Sequence, residues 1–130
     1  MKDYLAPWGS SDENSRKLLN PVTVVGEHIS FQKSEFAKIE LTVRPAEAFD
    51  VLDSVPEKPE LEKLAVGWPD PVILGLLEIL MNAKRGPLRD FQVVLERVWY
   101  HDLDSSRGAF ESAGRDAGRK IIEAIDLQSG

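Results

Sequence analysis

The sequence predicts an α+β fold, a four-stranded sheet with two helices on one face. Three stretches carry that expectation. Between Phe36 and Arg44 the chain alternates, with Ile39, Leu41 and Val43 on one side and Lys38, Glu40, Thr42 and Arg44 on the other. That is the pattern of a strand packed on one face and wet on the other. Asp70 to Arg85 is an apolar segment with helix punctuation at both ends, and Phe91 to Tyr100 is a strand pattern that gives way at Asp104-Ser105-Ser106 to a second helical one. The order is strand, strand, strand, helix, strand, helix.

Taken from the start, Met1 to Pro21 mixes Gly9, Ser10, Ser11, Asp12, Glu13 and Asn14 with two prolines and shows no sustained period. It reads as an N-terminal arm or tail ahead of a domain over residues 22–127. Its apolar Tyr4, Leu5 and Trp8 are suited to docking on the domain or on a second protomer. Val22 to Val25 is a short β-branched run, a strand whose exit is Gly26-Glu27-His28, with His28 a surface loop residue. The alternating strand follows, and Pro45, which has no amide hydrogen to give a ladder, closes it. Phe49 to Leu52 is a short third strand. Asp53 to Lys63, with Pro56 and Pro59 among its charges, is a solvated loop, and Leu64 to Val66 is a strand stub or part of a turn.

Asp70 caps the first helix, Pro71 suits its first position, and Gly86 followed by Pro87 stops it. Between them only Gly75, Glu78 and Asn82 form a polar stripe, so this helix must be covered on more than one side, by the second helix, the arm or another subunit. A homodimer through the Asp70 to Arg85 helix and the N-terminal arm is the expectation that follows. In the last strand Phe91, Val93, Leu95 and Trp99 share one parity while Val94, Val98 and Tyr100 share the other, which suits a central position. Arg97 interrupts the first set, and a bulge near it reconciles the two. The final helix runs from about Ser106 to about Asp126, with Ala109 or Phe110, Ala113, Ala117, Ile121 and Ala124 at helical spacing. Gly114 and Gly118 add to its small inner face, which lets a neighbouring backbone come close. Glu111 with Arg115 and Asp116 with Lys120 read as solvated pairs.

A chain of 130 residues fits one domain, and 42% hydrophobic with 29% charged residues is ordinary globular composition. No basic leader precedes an apolar segment and no apolar run reaches membrane-spanning length, so a cytoplasmic protein with no membrane partner is expected. There is no cysteine, hence neither disulfide nor thiolate chemistry. A net charge of −6 argues against nonspecific wrapping of nucleic acid and leaves room for a local basic patch.

His101, Asp102, Asp104, Ser105 and Ser106 contain the residue types of a catalytic triad and of a metal site. Residues this close in sequence do not line up as nucleophile, base and orienter, and no Gly-x-Ser-x-Gly turn presents a serine. No second ligand cluster accompanies the His and Asp residues, and an Asp or Ser here is equally needed to cap the following helix. An enzyme, a metal and a cofactor are therefore not expected.

The same stretch carries a resemblance. Tyr100-His101-Asp102-Leu103-Asp104-Ser105-Ser106, then Ala109-Phe110, Ala113 and Ala117, resembles the Tyr-His-Asp-Val-Asp-Ser-Ser motif in the fourth domain of elongation factor G. Gly86-Pro87-Leu88 matches the Gly-Pro-Leu ahead of that motif, and Glu35 to Pro45 is similar to the family's Gln-Tyr-Ala-Lys-Val strand ending in Pro. The resemblance covers roughly Ile29 to Ile125 in the family's order. It implies a four-stranded sheet with two helices on one face and a left-handed β-α-β crossover, against the usual hand. No Gly-x-x-x-x-Gly-Lys-Ser/Thr loop is present, so the domain would stand without the GTPase of that family.

In the family this domain is similar in shape to a tRNA anticodon arm and enters the decoding site of the small ribosomal subunit, with the His of the motif at its tip. Carried over, that His is His101, and the RNA- or ribosome-binding residues expected are Tyr100, His101, Asp102, Gln32, Lys33, Lys38 and Arg107. The chain departs from the pattern at two places. The family's second tip loop, of Gln-Thr-Gly-Gly-Arg-Gly type, is matched by the glycine-free Ile29 to Ser34, and Trp99 runs directly into Tyr100 where the family tends to have an Asp-Gly turn. The partner expected is the ribosome or structured RNA. The alternative is a protein-interaction or self-associating domain that kept the fold and lost ribosome binding.

Overall fold

The computed structural model describes residues 16–30, 32, 35–55, 69–83, 87–99 and 107–129. A mixed four-stranded sheet is built from β2 (Val22–Ser30), β3 (Glu35–Pro45), β4 (Asp50–Asp53) and β6 (Phe91–Trp99), in the order β2-β3-β6-β4. Helices α1 (Pro69–Met81) and α2 (Arg107–Ser129) share one hydrophobic core with its inner face. β3 runs antiparallel to both its neighbours, β2 and β6, whereas β4 runs parallel to β6 and α1 lies in the crossover that a parallel pair requires. The predicted α+β class is the one observed.

The inner face of β3 is Ala37, Ile39, Leu41 and Val43, all fully buried. On β6 it is Phe91, Val93 and Leu95, and there the register breaks, because Glu40 pairs with Arg97 while Leu41 pairs with Leu95. Glu96 is the extra residue. The bulge expected near Arg97 thus sits one position earlier, and its effect is to turn Val98 into the core and Trp99 out of it. Phe49 closes the β4 side, its ring edge-on to Phe91 at 5.2 Å.

β2 is longer than the Val22 to Val25 run predicted, and Gly26-Glu27-His28 is strand rather than exit. Gly26 is inside the ladder because α2 crosses it. A side chain there would meet the Ala113 carbonyl and the Ala117 side chain. His28 pairs across the sheet with Ala37 and lies with its Nε2 3.2 Å from Glu35 Oε1, so it is not a loop residue.

α1 stops at Met81, short of the predicted Arg85, and Asn82 just beyond it donates its side-chain amide to the Glu78 carbonyl at 2.6 Å. Its apolar breadth is answered within the chain. Val72, Ile73, Leu76, Leu77 and Leu80 are fully buried, and Gly75 is buried against the Glu111 carbonyl of α2. Gly114 meets Val72 and Gly118 meets Ile79, so the two helices touch backbone to backbone, as their small residues predict.

Arg16–Lys17, part of the segment read as an arm, forms β1 and pairs parallel with β5 (Leu88–Arg89), while Leu18 enters the core. Asp90 joins β5 to β6 with a positive φ of 55°, a conformation open to Asp. Its carbonyl accepts from Ala46 N at 2.9 Å, and its carboxylate lies 3.7 Å from Lys17 Nζ. The expectation of a stub or turn at Leu64 to Val66 lies outside the described residues, as do Tyr4, Leu5 and Trp8.

Candidate functional site

Three segments converge at one end of the molecule. The β2–β3 turn is there, β6 leaves the sheet there at Trp99, and α2 begins there at Arg107. The direction of α2 follows from its contacts with β2. Lys120 Nζ donates to the Val25 carbonyl at 2.6 Å, and Asp116 Oδ2 accepts from Glu27 N at 3.0 Å, so moving toward the helix N-terminus moves toward Ser30. These two side chains also pair with each other at 3.0 Å. They are therefore more than a solvated pair, because they satisfy backbone groups on the outer edge of an edge strand that would otherwise be open to pairing with another chain. Arg115 likewise reaches beyond Glu111 at 2.8 Å, to Ser112 at 3.1 Å and to Glu78 of α1 at 3.2 Å, tying the two helices together.

Of the residues expected to bind RNA or the ribosome, Gln32 is exposed in the turn between β2 and β3, and Arg107 is exposed at the first position of α2. Lys38 points outward from β3, opposite Trp99 of β6, with its Nζ 4.9 Å from the centre of the indole ring. These three lie at the same end. Lys33, Tyr100, His101 and Asp102 lie outside the described residues. Among the described residues no group of three or more His, Asp or Glu could hold a metal ion, and no helix is long and apolar enough to cross a membrane.

The outer face of the sheet divides in two. Over most of its area polar side chains close on one another across strands. Thr42 donates to Glu96 Oε2 at 2.8 Å, which leaves Thr23 to donate to Thr42 at 2.7 Å. Arg44 Nε donates to Gln92 Oε1 at 2.7 Å and Gln92 Nε2 to Asp50 Oδ2 at 2.8 Å. Toward the β6 exit the character changes. Ile29 stands opposite Phe36, and Trp99 stands opposite Lys38, with Ile29 49% and Trp99 36% exposed. Arg97 is on the same face, largely exposed, its Nε 3.6 Å from Glu40. Sequence reasoning grouped Trp99 by parity with Phe91, Val93 and Leu95, and the structure puts it on the opposite face from them. Counting side-chain parity across the bulge is the signal that moves it outward.

No protein-family profile matches this sequence, and no curated protein does. Among solved structures the chain is similar to a crystal structure of a Thermus thermophilus protein, with a TM-score of 0.69 and 17% identity over 80% of this chain and 16% of that one. At that identity the likeness establishes the shared fold. The chain spans about a sixth of the length of the protein it matches.

Proposed function

We propose that this domain is a ribosome- or RNA-binding module of the kind formed by the fourth domain of elongation factor G, cytoplasmic, and without GTPase or other catalytic activity of its own. The observation that carries the reading is that Gln32, Lys38 and Arg107 all lie toward the end of the molecule where β6 finishes and α2 begins, the interval in which Tyr100-His101-Asp102 stand in sequence. The shared fold and the order of the Glu35 to Pro45, Gly86-Pro87-Leu88 and Tyr100 to Ser106 matches support it. Cations such as Lys38 and Arg107 suit phosphate, an imidazole such as the one the resemblance assigns to His101 would suit base edges, and a small local site of this kind is compatible with a net charge of −6.

Co-sedimentation of the full chain with small ribosomal subunits across a salt series tests this. Association that falls as salt rises is expected, as is weaker association for His101→Ala at an unchanged melting midpoint. Absence of any salt-sensitive association with subunits or structured RNA sinks the proposal.

A second reading, a self-associating domain, is favoured by one observation. Leu19 and Leu127, 79% and 78% exposed, both lie at the opposite end, where the chain preceding β2 enters and α2 finishes. Light scattering decides it, since a monomer mass at high concentration removes this reading.

A further inference from the structure

The outer face of the sheet near the β6 exit is built differently from the rest of that face, and the difference is chemical. Elsewhere the outward side chains satisfy one another through the Thr23-Thr42-Glu96 and Arg44-Gln92-Asp50 ladders. Around Trp99 the described side chains are an indole, an aliphatic and a phenyl group, with Lys38 and Arg97 alongside. An indole held outward by a bulge is an unusual use of the residue with the most apolar surface to bury. The bulge at Glu96 takes Val98 into the core and leaves Trp99 on the outer face, 36% exposed.

We propose that this patch seats one unpaired RNA nucleotide, its base laid on the open part of the Trp99 indole and its phosphate held by Lys38 and Arg97. The proposal rests on the RNA-binding reading above and extends it from the tip onto the sheet face. Base stacking needs a flat π surface fixed in place, and Trp99 is fixed by its strand and by the Lys38 ammonium 4.9 Å from its ring centre. The phosphate needs cations whose present partners are easily given up. Arg97 has such a partner, since a 3.6 Å contact to Glu40 by a largely exposed guanidinium contributes little. Ile29 and Phe36 extend the apolar floor beside Lys38, on the strands away from β6. A duplex is excluded, because its bases are stacked on one another and offer the indole no free face.

The experiment uses the full chain carrying Trp8→Phe and Trp68→Phe, so that Trp99 alone emits. Titration with a single-stranded oligoadenylate is expected to quench that emission, while the corresponding duplex leaves it unchanged. Trp99→Leu keeps apolar bulk without the π face and is expected to weaken fluorescein-labelled oligoadenylate binding roughly tenfold. Arg97→Ala should lower the slope of log affinity against log salt by about 0.7. The Arg97 variant and the emission readout keep the question answerable if Trp99→Leu fails to fold. Small-subunit binding by the parent that leaves Trp99 emission unquenched and is unaffected by Trp99→Leu and Arg97→Ala overturns the sheet-face seat and leaves the tip reading standing. Failure of the parent to bind either subunits or oligoadenylate overturns both.

Discussion

Alanine at Gly114 and alanine at Gly108 place the same methyl group on the same helix and should move stability in opposite directions. At Gly114 the methyl would lie 3.0 Å from Leu76 N and from Val72 C, and closer still to the Val72 carbonyl oxygen. All three are backbone atoms of α1, so no rotamer change relieves the contact and the two helices must separate. Overpacking of this kind costs about 3 kcal/mol at the upper end of its usual range. Alanine returns about 1 kcal/mol of helix propensity, leaving a net loss of about 2 kcal/mol. For a domain of this size that corresponds to roughly 8 °C in melting midpoint. At Gly108 nothing lies within 4 Å of the added methyl, so only the reduced freedom of the unfolded chain counts, a gain of about 0.5 kcal/mol. Urea unfolding of parent and both variants, with the m-value held as a check on two-state behaviour, reads the difference directly. If Gly114→Ala is as stable as the parent, or shifts together with Gly108→Ala, the backbone-to-backbone packing of α1 on α2 is wrong.

Two further outcomes follow from the sheet. Deleting Glu96 removes the bulge and keeps every pairing, because Leu95, Arg97, Val98 and Trp99 then alternate plainly against Leu41, Glu40, Ile39 and Lys38, so the variant should lose only about 1 kcal/mol with the Thr42 to Glu96 hydrogen bond; a circular dichroism melt showing a loss of about 3 kcal/mol or more would mean that Glu96 is not the extra residue. Asp116→Ala takes away the acceptor for Glu27 N and should cost about 1 kcal/mol, with faster hydrogen exchange at the Glu27 amide and more self-association at high concentration. Unchanged protection of that amide would mean that α2 does not cap the sheet edge.

Wherever a local rule had no competitor, the residue pattern was enough to set the structure. The alternation from Phe36 to Arg44 admits one reading, because a period of two with apolar residues on one side fits only a half-buried strand, and β3 has that strand's burial. Both helices were legible from their spacing, although the first begins at Pro69, ahead of the Asp70 read as its cap, and ends before Gly86, and the small residues of the second announced close packing. Of the candidate site, Lys38 was legible as an outward residue of that strand.

Other features exist only where distant segments meet. Gly26 looks like a strand exit until α2 is laid across it, and then it is the residue that permits the crossing. Asp116 and Lys120 look like an ordinary pair until the edge of β2 is beside them. α1 ends at Met81, although Gly86 and Pro87 mark a later stop. Trp99 shares the parity of Phe91, Val93 and Leu95, and is put on the opposite face from them by a single extra residue whose position depends on pairing with Glu40 and Leu41. Periodicity is a property of one strand and register is a property of two, so which side of the sheet the indole faces is settled only by the strand beside it.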